Sequence, residues 1–228
     1  MEHSGDEEDP TTVEPDEEEE EEQEELLAAI AQVTPHCGPP PRDAIRVRET
    51  SSGAPGALAV HTEHLMLRAV SERVARAAIA RDHDMMARLV GAAVPVEWPG
   101  DVIAILPRYA DALARDMGQF GWGPWLAIDA ATNAVVGDLG FKGPPAEKRS
   151  VEIGFETIST VRNRGVATEA ARSLVAWALS HDDVDAVLAE CERGNAASAR
   201  VLEKVGLRRR GTRGTVVTWQ MNRPGVQL

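Results

Sequence analysis

The order of secondary-structure signals between Trp125 and Asn222 limits the fold of this chain more than any other feature. Val151–Thr157 alternates like a strand, Ala167–Ser180 carries an apolar stripe at helical spacing, and Asp185–Cys191 returns to a strand pattern. A helix of this length between two strands is a crossover, so those strands are expected to run parallel. Before this unit, Trp125–Asp129 and Ala134–Phe141, joined by Ala130–Asn133, predict an antiparallel hairpin. After it come a helix, Asn195–Val205, and a closing strand pair, Leu207–Gly211 and Thr215–Asn222. The succession implies an α+β fold: a mixed sheet with a parallel pair at its centre.

The first half is less regular. Ala57–Val70 reads as an extended first strand interrupted near Glu63-His64. Ser71 is placed as an N-cap, and Val74, Ala78 and Ile79, then Met85, Met86, Leu89 and Val90, predict two short helices broken around Arg81-Asp82. Val94–Gly100, with two prolines, is a loop. Asp101–Met117 regains a helical pattern, with Pro107 calling for a late start or a kink.

The formal charge of −13 misdescribes this patterned region, because fifteen of the 37 acidic residues lie in Met1–Glu25, which has no Lys or Arg. The remainder carries 24 basic against 22 acidic residues, nearly neutral. A run such as Glu17–Glu25 repels itself and buries little, so a disordered acidic tail is expected, with at most a fluctuating helix towards Leu26–Ile30. Val33–Gly56 is rich in Pro, Gly and Ser and reads as a linker, which sets the expected boundaries at residues 1–56 and 57–228. Cys37 and Cys191 form neither a disulfide framework nor a metal-ligand spacing, and the six histidines join no such pattern. With no apolar run near a membrane span and no basic leader, the expectation is a cytoplasmic protein that engages no membrane and needs no metal.

Arg162-Asn163-Arg164-Gly165-Val166-Ala167-Thr168 joins the expected strand to the expected helix. Gly165 lets the backbone approach a ligand, a small residue after it avoids a clash, and the unpaired amides of a helix start attract anions. Two arginines add positive charge. This combination suits a pyrophosphate, although an Arg/Gly turn before a helix is more often a plain strand-to-helix connection.

Four segments in order lift that ambiguity: Val136-Gly137-Asp138-Leu139-Gly140-Phe141; Val151-Glu152-Ile153-Gly154-Phe155; the Arg-x-x-Gly-x-Ala loop with Thr168-Glu169-Ala170; and Asn195-Ala196-Ala197-Ser198 running into Val201–Leu207. Together they resemble the GNAT N-acetyltransferase superfamily, in particular its RimJ/RimL-like branch of ribosomal-protein N-terminal acetyltransferases. The resemblance covers roughly Ala57 to Asn222. It implies a twisted mixed sheet of about seven strands, flanked by about four helices, whose two central parallel strands splay to admit the arm of acetyl-CoA. It further implies that Phe155 and Thr157 offer backbone hydrogen bonds to that arm, that Arg162, Asn163, Arg164, Gly165, Val166, Ala167 and Thr168 hold the pyrophosphate, and that Asn195 lies on the cofactor side. Asn195 also suits a simple N-cap.

Acetyl transfer needs a neutral amine. An α-amine with a pKa of about 7.7–8.0 is neutral on the order of a tenth of the time near pH 7, and a lysine near 10.4 less than about a thousandth. Glu152, opposite Val151 and Ile153 in the alternation, is the candidate base, directly or through one water, with a purely organising role as the alternative. Glu156 shares its face and ranks below it. Leu202 stands where many GNAT enzymes have a proton-donating Tyr, and the single tyrosine, Tyr109, lies outside that motif. Ser198, one turn earlier, is the candidate donor, with a structural serine as the alternative. Trp98 either lines the acceptor entrance or pins its loop, and His61, His64 and His83 receive no site role. Arg208-Arg209-Arg210 and Arg213 make only a local patch, so nucleic acid is not an expected partner. The expected reaction is acetyl transfer to a protein N-terminal or small-molecule amine by a monomer or homodimer. A catalytically weak acyl-CoA-binding module is the alternative.

Overall fold

The computed structural model describes residues 58–145 and 147–226. The expected acidic tail and linker over 1–56, including Cys37, lie outside the described residues. The elements in chain order are β1 (Ala59–His61), β2 (Leu65–Ala69), α1 (Glu72–Ile79), α2 (His83–Val90), α3 (Leu106–Arg115), β3 (Pro124–Asp129), β4 (Ala134–Phe141), β5 (Ser150–Thr157), α4 (Val166–Leu179), β6 (Ala186–Glu192), α5 (Ala196–Val205), β7 (Arg208–Arg213) and β8 (Val216–Asn222). They build one eight-stranded sheet ordered β1-β2-β3-β4-β5-β6-β8-β7. The β5–β6 pair is parallel and its neighbours are antiparallel.

The mixed fold class is as expected, and among the described residues the strand count rises to eight because the expected first strand is a hairpin of β1 and β2, not one interrupted strand. Thr62 closes it: its amide donates to the Leu65 carbonyl at 2.9 Å, and its hydroxyl accepts the Leu65 amide at 2.9 Å. Among the described residues there are five helices, because both short first-half helices persist. Ser71 caps α1 by accepting the Val74 amide, and Asp82 caps α2 by accepting the Met85 amide at 2.8 Å. Gly91 ends α2 in the left-handed region at φ 69°. Pro107 sits in the first turn of α3, where its missing N–H costs nothing, and a 3-10 turn over Asp101–Ala104 precedes it.

Each face of the sheet has its own core. Trp125 and Ala127 of β3 point to a layer formed by α4 and α5, whereas Leu126 and Ile128 point to a layer formed by α1, α2 and α3. Every residue of β3 is buried for this reason. The first-half helices engage the sheet through Leu126, Ile128 and Val135, on β3 and β4. They do not extend their core over β5, and that limit leaves a working surface.

Candidate active site

Pairing between β5 and β6 begins at Ser150↔Ala186 and ends at Ile153↔Ala189. Beyond that rung β5 stays paired to β4 as far as Thr157, and β6 stays paired to β8 as far as Glu192. The two parallel strands therefore part company in their second halves. Glu152 gives its carbonyl to the Lys142 amide on the β4 side, and the Ile158 amide likewise donates to Val136. Strand alternation then directs the peptide groups of Phe155 and Thr157 the other way, into the opening. Thr157 has partly committed its carbonyl, which lies 3.4 Å from the Arg162 Nε donor.

A 3-10 turn over Ser159–Val161 carries the chain from β5 to the loop. Asn163 and Gly165 take positive φ values of 64° and 88°, turning the backbone sharply into α4. Glu169 is the first residue to return a hydrogen bond, from its amide to the Gly165 carbonyl at 3.0 Å. No side chain caps α4, so the amides of Val166, Ala167 and Thr168 are outside the helical ladder. Arg162 and Asn163 are exposed beside them, and Arg164 is half-buried. These donors fit a pyrophosphate.

Parallel β5 and β6 put both following helix starts at one end of the sheet, and α4 packs against α5. Asn195 caps α5, accepting the Ser198 amide at 3.0 Å, so the N-cap reading holds. Ser198 is half-buried in the first turn. Leu202 is buried in the core and cannot act as an acid. The Tyr109 hydroxyl donates to the Val70 carbonyl at 2.8 Å in the other core, and burial holds its phenol pKa well above the ordinary value.

Glu152, Gly154 and Glu156 share the face of β5 left open by the first-half helices. Glu152 is ion-paired with Lys142. Gly154 is exposed within this interior strand, and a Cβ there would meet no atom within 4 Å. Glu156 faces Asp138 across the β4–β5 rung. The Trp98 indole N–H donates to Asp138 at 3.1 Å, and Trp98 itself is only 1% exposed, so it pins the Val94–Gly100 loop. Burial pushes the Asp138 carboxyl up to about 7, the indole hydrogen bond pulls it down, and the negative charges of Glu156 and Asp101 add to the rise. Asp138 went unassigned in the sequence because strand alternation does not reveal a loop tryptophan folding over a strand.

Glu169 was also unassigned. Its carboxylate, 6% exposed, receives the Thr62 hydroxyl at 2.5 Å and the His64 amide at 3.0 Å, and His64 Nδ1 lies 3.1 Å from its other oxygen. The start of α4 is thereby tied to the β1–β2 turn. This gives His64 a structural place, and among the described residues no His, Cys, Asp and Glu group could hold a metal ion. No helix among them is long and apolar enough to cross a membrane.

Residues 64–208 match the family described as Acetyltransferase (GNAT) domain. The chain is 34% identical over 148 residues to an uncharacterized N-acetyltransferase, YjdG, of Bacillus subtilis (strain 168), covering 64% of this chain and 88% of YjdG. Its fold is similar to that of a ribosomal-protein-S5-alanine acetyltransferase from Vibrio fischeri, with a TM-score of 0.54, 14% identity, and coverage of 75% of this chain and 100% of the other. RimL, a ribosomal L7/L12 alpha-N-protein acetyltransferase solved with coenzyme A, superposes with a TM-score of 0.50 at 16% identity, over 71% of this chain and 95% of its own. The opened parallel pair, the uncapped helix start and the family match together make this chain a member of the GNAT acetyltransferase family and an N-acetyltransferase.

Proposed function

We propose that this chain transfers the acetyl group of acetyl-CoA to a primary amine, a protein N-terminal α-amine or a small-molecule amine, by direct attack on the thioester. The observation that carries the reading is the parting of β5 and β6 beyond Ile153↔Ala189, with the uncapped start of α4 at the same end. Acetyl-CoA supplies an activated acyl carbon and a thiolate leaving group. The amides of Val166, Ala167 and Thr168, with Arg162, Asn163, Arg164 and Gly165 around them, suit its pyrophosphate. The peptide groups of Phe155 and Thr157 suit its amide-containing arm, and the Phe155 amide can polarise the thioester carbonyl. Asn195 shapes the neighbouring helix start.

The acceptor amine would approach over Gly154, where no side chain stands. Attack forms the C–N bond, the C–S bond breaks, and the nitrogen must lose a proton. Glu152 remains a candidate acceptor of that proton, although Lys142 competes for its carboxylate. Asp138, poised near neutral pH beside Glu156, is the better supplied, acting through Glu156 or a water. Ser198 is retained as the candidate donor to the departing thiolate.

The test is release of free thiol from acetyl-CoA in the presence of three acceptor sets: peptides with a free α-amine, Nα-blocked peptides carrying lysine, and small polyamines. Turnover with the first or third set supports the reading. Bound acetyl-CoA without turnover on any set would sink it.

A further inference from the structure

β7 is the outermost strand of the sheet and carries Arg208, Arg209, Arg210 and Arg213, all exposed. Between residues 193 and 213 there are seven cationic side chains and one acidic one, Glu203. Several cations elsewhere have carboxylate partners, Arg76 with Glu72, Lys142 with Glu152 and Arg149 with Asp185, while others such as Arg81, Arg108 and Arg115 have none among the described residues. What sets this edge apart is the clustering of cations with almost no acid among them. Among the described residues Arg208, Arg209 and Arg210 have no ion-pair partner; Arg209 reaches only the Thr212 hydroxyl, at 2.7 Å, and Arg213 only Glu190, at 3.9 Å. Folding thus concentrates unneutralised positive charge on one edge of a nearly neutral region.

The same chain holds the complementary charge. Nine of the ten residues from Asp16 to Glu25 are acidic. The segment joins the fold at β1, the opposite edge of the sheet, so it must cross all eight strands, about 34 Å at roughly 4.8 Å per strand spacing. Thirty-two residues lie between Glu25 and Leu58, and a chain of that length with random-coil dimensions has a typical end-to-end distance of about 30 Å. Reach matches span, the condition under which a tethered segment meets its site at an effective concentration near the millimolar range. We infer that residues 16–25 dock in cis on the arginine-bearing edge of β7, capping that edge by charge. The contact is electrostatic, so it weakens as salt shortens the Debye length from roughly 8 Å at physiological strength.

The chain's lysines permit a direct test, for there are three: Lys142, Lys148 and Lys204. Lys204 closes α5 beside β7, Lys142 is engaged by Glu152, and exposed Lys148 precedes β5 and serves as the comparator. A carbodiimide activates a carboxylate and joins it to a lysine amine as an amide, taking up the oxygen itself as a urea. With the full chain at high dilution, peptide mapping should find residues 16–25 joined to Lys204 within monomers, several-fold more often than to Lys148. The excess should fall to the Lys148 level in about 0.5 M salt and in the R208Q/R209Q/R210Q variant. Should that variant fail to fold, the salt series on the parent decides. Equal coupling of Lys204 and Lys148, coupling only in covalent dimers, or an excess indifferent to salt would overturn the inference.

Discussion

Trp98 donates its indole N–H to the Asp138 carboxylate at 3.1 Å, fastening a first-half loop to the strand rung that faces Glu156. The contact joins two parts of the molecule with different tasks. The loop closes the layer of α1, α2 and α3, and the rung borders the open face of β5. Asp138 is therefore both a structural anchor and a titrating group beside the candidate acceptor seat.

Burial raises Asp138 from its ordinary value of 3.8 to about 7, so the folded protein holds a proton there that the unfolded chain has released. Between about pH 4 and 7 the folded state binds more protons, and stability falls as pH rises through that window. The span corresponds to a few kcal/mol at most. Asp138→Asn keeps an oxygen for the Trp98 donor and removes the titration. Chemical denaturation from pH 4 to 8 should show the variant gaining on the parent as pH rises. If the same carboxyl takes the acceptor's proton, the parent's kcat/KM rises with an apparent pKa near 7, and the variant loses that limb.

Gly154 should be the test of acceptor approach. Its Cβ position is open, with no atom within 4 Å, so Gly154→Val adds bulk on the open face of β5. Acetyl-CoA affinity should change less than about twofold, and the acceptor KM should rise about tenfold or more, the scale of a few misplaced methyl groups. A matching loss of acetyl-CoA binding would mean that the donor, not the acceptor, crosses this residue.

At Gly165 the φ of 88° makes any side chain costly, about 1–2 kcal/mol, before a ligand is considered. Gly165→Ala should show that loss in thermal stability, and Gly165→Val a larger one, because a branched Cβ suits positive φ least. Valine should weaken acetyl-CoA further, measured by calorimetry, because its branches stand where the pyrophosphate must approach. Equal affinities in the two variants would place the phosphates elsewhere.

Residues whose role depends on neighbours in sequence were the legible ones. The strand–loop–helix run through Val151, Gly165 and Thr168 was legible, since periodicity and a glycine turn are local signals, whereas the opening between the strands was expected only from the family resemblance. Asn195 was legible as a cap for the same reason. The Trp98–Asp138 contact and the Lys142–Glu152 pair were not, because each depends on residues brought together by the sheet, and the local turn at Thr62 was read only as an interruption near Glu63-His64. Glu152 shows the limit: alternation identified its face correctly, and nothing in the alternation announced the lysine that engages it.

The last such contact gives the sharpest stability prediction. Glu169 sits in the opening turns of α4 and takes the Thr62 hydroxyl and His64 amide, 107 and 105 residues earlier in the chain. Glu169→Ala strands both donors in a mostly buried place, which should cost about 2–4 kcal/mol. For a domain of this size that is a melting-temperature loss of roughly 5–15 °C. Glu169→Gln keeps an oxygen for the two donors and should recover more than half of the loss. Because the tie fixes where α4 begins, alanine should also weaken acetyl-CoA binding, and Thr62→Val should reproduce part of both effects from the far side of the contact. A Glu169→Ala protein with unchanged melting and unchanged affinity would show that the first turn of α4 is held by its core face alone.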